Sequence, residues 1–248
     1  SEPPAWSGRL GELLEAVATG PQGARGDAEA TPFGDLWRPV ARRWRGRLAA
    51  DPVVIVELSP SACDDLEDHL VEQLSRASAD ALGERFAAFR VAAGTLDGGS
   101  SRVYDDFVGE VSGGGLLDLL ERYPVLARQL VRLAETWVDA SAELARRLAG
   151  ARSRIERVLG CGAPAGRVAA IRSGLSDRHR GGRRVQILEL ESGLKVVYKP
   201  RDVAVEAAFH RLLAALAEAG LEDAPPSARW VVGEGHGFAE HVAEAEPA

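Results

Sequence analysis

The chain has 248 residues, 46% of them hydrophobic and 27% charged, with a formal net charge of −7, which is the profile of a globular protein with enough chain for a sizeable core. The acidic balance argues against a general nucleic-acid binder, and no apolar run approaches the roughly 20 residues of a membrane span. Two cysteines, Cys63 and Cys161, cannot by themselves make a disulfide framework or a Cys-rich zinc site. The opening residues lack a basic, apolar leader, so a reduced, cytoplasmic setting is expected.

Leu10, Leu13, Leu14 and Val17 recur at helical spacing and predict a helix over 6–19. The Gly- and Pro-containing stretch 20–32 reads as a loop. Leu36, Trp37, Val40, Trp44 and Leu48 predict a second helix over 33–50, with Arg42, Arg43, Arg45 and Arg47 as a basic, solvated face. Asp51-Pro52 breaks that helix, and the β-branched run Val53-Val54-Ile55-Val56 reads as a short strand or a buried connector. Ser59-Pro60 is an N-cap followed by Pro at the first helical position. The helix it starts runs to about residue 92, with Asp64, Asp65 and Glu67 near its positive end.

After a loop at 94–100, Tyr104, Phe107, Val108 and Val111 predict a short helix ended by Gly113-Gly114-Gly115. A further helix begins near Leu116, pauses at Tyr123-Pro124 and runs to about Leu148, followed by a separate segment from Ser153 to Leu159. The pattern changes at Gly160–Gly166. Strands are predicted at Val168–Ile171, Arg183–Glu191 and Lys195–Lys199, with Ser192-Gly193 as a tight turn. A helix then covers 203–218, and short strands follow at Trp230–Val232 and from Phe238.

The third of these strands ends in a lysine. The chain has only two lysines, Lys195 and Lys199, among 30 basic residues. A compact ammonium on a flexible stem suits a phosphate, and Gly181-Gly182 lie in the turn before the preceding strand. Two readings are open: a nucleotide phosphate site, or a hairpin that happens to end in lysine. Alternation puts Lys195, Val197 and Lys199 on one face and Val196 and Tyr198 on the other. Glu206, early in the next helix, is the nearest acid able to pair with Lys199, or else a solvated acid. Strand, Gly-containing turn, strand, strand ending in Lys, then helix with Glu is the order of a kinase small lobe. Asp177 and His179 share the turn, two residues apart, amid Arg178, Arg180, Arg183 and Arg184. A carboxylate beside an imidazole is a candidate acid/base pair, to which the arginines would draw an anion; the other reading is an Asp that stabilises the turn and an exposed His.

These residues carry a resemblance. Ser176-Asp177-x-His179-x-Gly181-Gly182-Arg183-x-Val185, then Ser192-Gly193-x-Lys195-x-Val197-Tyr198-Lys199-Pro200-Arg201, then Val205-Glu206-x-Ala208-Phe209 resembles the dehydratase domain of class II lanthipeptide synthetases. Glu121-x-Tyr123-Pro124-Val125-Leu126-Ala127-Arg128 and the Leu58-Ser59-Pro60-Ser61 helix start are similar to that family too. The resemblance implies an α+β chain: a largely helical N-terminal region (1–165), then the small β-rich lobe of a kinase-like, lipid-kinase-like fold (166–248), truncated before the large lobe. It implies ATP and Mg²⁺, with phosphorylation of Ser and Thr in a ribosomally made precursor peptide and then phosphate elimination to dehydroalanine and dehydrobutyrine. Lys199 would serve the ATP phosphates, helped by Gly181, Gly182, Arg183 and Glu206. Asp177 and His179 would serve elimination.

The chain departs from the full family pattern. It contains no Asn, hence no kinase-type Asn metal ligand, and no Asp-Phe-Gly triplet. The expectation is therefore an N-terminal fragment, or a naturally short or split form. The metal ligands, the remaining lobe and a zinc-dependent cyclase domain would lie downstream or on a separate chain. The alternative is a truncated, inactive homologue that binds a peptide or a partner.

Overall fold

The computed structural model describes residues 5–20, 31–94, 101–174, 180–221 and 225–242. The fold is α+β and mostly helical, with one antiparallel five-stranded sheet. Two compact units divide the chain, one of residues 1–50 and 67–139, the other of 51–66 and 140–248. No helix among the described residues is long and apolar enough to cross a membrane.

The first unit holds α1 (Ala5–Thr19), α2 (Gly34–Leu48), most of α4 (Pro60–Ala92), α5 (Ser101–Glu110), α6 (Leu116–Arg122) and the start of α7 (Pro124–Val158). Trp37 and Trp44 of α2 are fully buried, with Leu70, Leu74 and Leu82 of α4. The Trp37 indole N–H donates to Ser78 Oγ at 3.0 Å. The basic face of α2 is engaged throughout. Arg45 donates to the buried Glu67 at 3.0 Å and Arg42 lies 3.7 Å from it, while Arg43 and Arg47 pair with Glu15 and Glu12 of α1. Between α5 and α6 the chain makes one π-turn, Val111–Gly115. Gly114 there takes φ 133°, which a side chain would strain.

The second unit begins with α3 (Pro52–Glu57). This corrects the strand or connector expected at 53–56. Asp51 Oδ1 accepts from the Val53 N–H at 3.0 Å and Pro52 occupies the first turn. Those two features start a helix whatever the β-propensity of the following valines. Only Val54 of the run is buried, while Ile55 and Val56 are exposed. Ser59 caps α4 as its sequence predicts, accepting from the Ala62 N–H at 3.1 Å. α7 is one helix through Val158, which corrects the break expected near Leu148. Gly150 there costs about 1 kcal/mol relative to Ala. Burial of Leu148, Ala151, Ile155 and Leu159 carries the helix across it.

The sheet has strands β1 (Val168–Arg172), β2 (Gln186–Leu190), β3 (Lys195–Lys199), β4 (Trp230–Gly233) and β5 (His236–Glu240), ordered β1-β2-β3-β5-β4. β2 is shorter than the expected 183–191, because the residues before Gln186 stand outside the ladder. A short turn, with Gly193 at φ +83° and its N–H donating to Leu190 O at 2.8 Å, joins β2 to β3. The outer edge of β1 is covered. The Ser59 N–H donates to Val168 O at 2.9 Å, and the Ile171 N–H donates to Asp65 Oδ2 at 2.7 Å. Leu188, Val196, Tyr198, Val231 and Phe238 are buried on one face. α8 (Ala204–Glu218) follows β3 and leaves Val205, Phe209, Leu212 and Leu216 exposed.

Candidate functional site

Alternation along β3 does what the sequence predicts: Val196 and Tyr198 are buried, while Lys195, Val197 and Lys199 face the other way. Lys199 stands opposite Gly237 of β5. A Cβ on Gly237 would lie 2.2 Å from Cγ2 of Val203, which is fully buried. The missing side chain is therefore the space into which the start of α8 packs, beside Lys199. Asp202 Oδ1 accepts from the Ala204 N–H at 2.8 Å and fixes the entry to the helix.

One turn further on, Glu206 Oε1 lies 3.8 Å from Lys199 Nζ and 2.5 Å from Arg201 Nη2. The side chains of Lys199 and Glu206 are 25% and 27% exposed, so water screens the pair only in part. On another side, Lys199 Nζ sits 4.9 Å from the centre of the Trp230 ring, within cation–π range. The His210 ring lies tilted against Trp230, with ring centres 5.6 Å apart, and its Nδ1 accepts from the Ala228 N–H at 3.1 Å. Two cations share one carboxylate here, leaving net positive charge on a half-buried ammonium held by an aromatic face. Such a group can take an oxyanion.

Tyr198 points to the opposite face and belongs to a different network. Arg147 donates to its hydroxyl at 2.8 Å and pairs with Glu143 at 2.6 Å. Arg183 donates twice to Glu143, at 2.6 and 3.1 Å. Burial pushes the Tyr198 phenol above its ordinary range despite Arg147, and Glu143 holds the Arg183 guanidinium firmly in its charged form. Gly181 and Gly182, at φ +72° and +75°, both adopt the left-handed conformation that glycine alone takes without strain.

The structure thus joins Lys199 with Glu206 and ties Arg183 to α7 beside Tyr198. Asp177 and His179 lie outside the described residues. Sequence reasoning missed Trp230, Glu143 and Arg147. Glu143 and Arg147 stand four apart on one helix, but nothing local links them to a residue 40 positions away. Among the described residues, no three or more His, Cys, Asp or Glu side chains gather as a metal site.

Residues 123–248 match a family model described as "Domain of unknown function (DUF4135)". No curated protein matches the chain. The matched span takes in α7, the whole sheet, Lys199, Arg201, Glu206 and Trp230.

Proposed function

We propose that this chain, which belongs to the DUF4135 family, is the N-terminal portion of a lanthipeptide dehydratase and supplies its kinase-like small lobe. The observation that carries this reading is the Lys199–Glu206 pair at 3.8 Å, formed by a strand-end lysine and an acid in the next helix. The joined motifs at 121–128 and 176–201 support the same reading. ATP would supply the phosphoryl group, and Lys199 would hold its phosphates with Glu206 setting the ammonium. Mg²⁺ would be held by ligands outside this chain. In the second step a base removes the α-proton of phosphorylated Ser or Thr. The Cβ–O bond breaks and phosphate leaves as dehydroalanine or dehydrobutyrine forms. Asp177 and His179 are assigned to that step, which needs a base and stabilisation of the leaving phosphate.

Calorimetry of the chain with MgATP and with a precursor peptide tests the reading. Heat from MgATP that disappears in Lys199→Ala is expected. Peptide binding without nucleotide binding would instead favour an inactive binding module.

A further inference from the structure

Two cations at the end of β3 share one carboxylate unequally. Arg201 Nη2 is 2.5 Å from Glu206 Oε1, a close ion pair, and that buried oxygen accepts no hydrogen bond among the described residues. Lys199 Nζ is 3.8 Å away, the longer of the two ion pairs. β3 ends at Lys199 and the chain bends at Pro200 and Arg201, with Pro200 fixing φ between the two cations. Both cations reach Glu206, and the guanidinium holds it more closely. The ammonium is left against the indole of Trp230.

We propose that Arg201 is a positioning residue that competes with Lys199 for Glu206 and so keeps the Lys199 ammonium available to a phosphate. The inference rests on the reading of Lys199 as a phosphate lysine. Without the Arg201 charge, Glu206 closes on Lys199 and draws it off the indole, and a phosphate must then displace the carboxylate.

With only two lysines in the chain, reductive methylation with ¹³C-formaldehyde gives two dimethyl-lysine NMR signals beside that of the terminal α-amine, and Lys195→Arg and Lys199→Arg assign them. The Trp230 ring current displaces the Lys199 signal. Arg201→Gln is expected to move that signal towards the position of a solvated lysine while Lys195 stays in place. On unmethylated protein, affinity for MgATP should fall about fivefold in Arg201→Gln, the weight of one modest ion pair, and recover in Arg201→Lys. A Lys199 signal unmoved by Arg201→Gln overturns the proposal. So does a signal that Arg201→Gln still moves when Glu206→Gln is already present. If Arg201→Gln shifts Lys199 but wild type takes no MgATP, the competition stands and the phosphate reading fails.

Discussion

Gly237 is the position where one methyl group tests how the sheet seats α8. In Gly237→Ala the new Cβ lies 2.2 Å from Val203 Cγ2, whereas carbon atoms rest at about 3.8 Å, so Val203 must retreat by roughly 1.5 Å. It has nowhere to go. Val203 is fully buried and β-branched, hence stiff at χ1. Overpacking of this kind costs about 2 kcal/mol, which in a chain of this size lowers the melting temperature by about 5 °C. Thermal unfolding followed by circular dichroism reads the loss. Val203→Ala makes the room that the added methyl group needs, so the double variant should be more stable than the sum of the singles by at least about 1 kcal/mol. A Gly237→Ala protein that melts with wild type, or strictly additive singles, would refute the packing argument and the seating of Glu206 that depends on it.

Other substitutions probe the second unit. Ser59→Ala removes the cap of α4 and should cost about 1 kcal/mol in denaturant unfolding. Arg152→Ala leaves the buried Glu57 carboxylate without its guanidinium and should cost about 3–5 kcal/mol, while the isosteric Glu57→Gln softens that loss. Arg229 holds the Glu240 carboxyl below its ordinary range, chiefly by hydrogen bonding. A depressed carboxyl stabilises the fold above its unfolded pKa and loses that contribution as pH falls through its folded value. The difference between wild type and Glu240→Gln should therefore hold at neutral pH and vanish in acid. A gap that widens in acid contradicts the sign.

Some of this architecture is written locally. The helices α1, α2, α4 and α8 declare themselves by apolar periodicity, and the faces of β3 follow from alternation because Val196 and Tyr198 need burial. α3 was hidden because four β-branched residues look like a strand. Its start is decided by Asp51 and Pro52 rather than by the run itself. The continuity of α7 was hidden behind Gly150, since the burial that outweighs it comes from tertiary packing. At the site, Lys199 and Glu206 were legible because seven positions separate them across one turn. Trp230 over Lys199, Glu143 on Arg183 and Val203 against Gly237 were not, because each joins residues about 30 or more positions apart through the sheet or α7.

The proposed two-step dehydration, beginning at Lys199, can be read by mass spectrometry of a precursor peptide incubated with MgATP and the gene product that contains this chain. Dehydrated peptide is expected with wild type, neither phosphopeptide nor dehydrated peptide with Lys199→Ala, and accumulated phosphopeptide with His179→Ala. Full phosphorylation and dehydration by Lys199→Ala would contradict it.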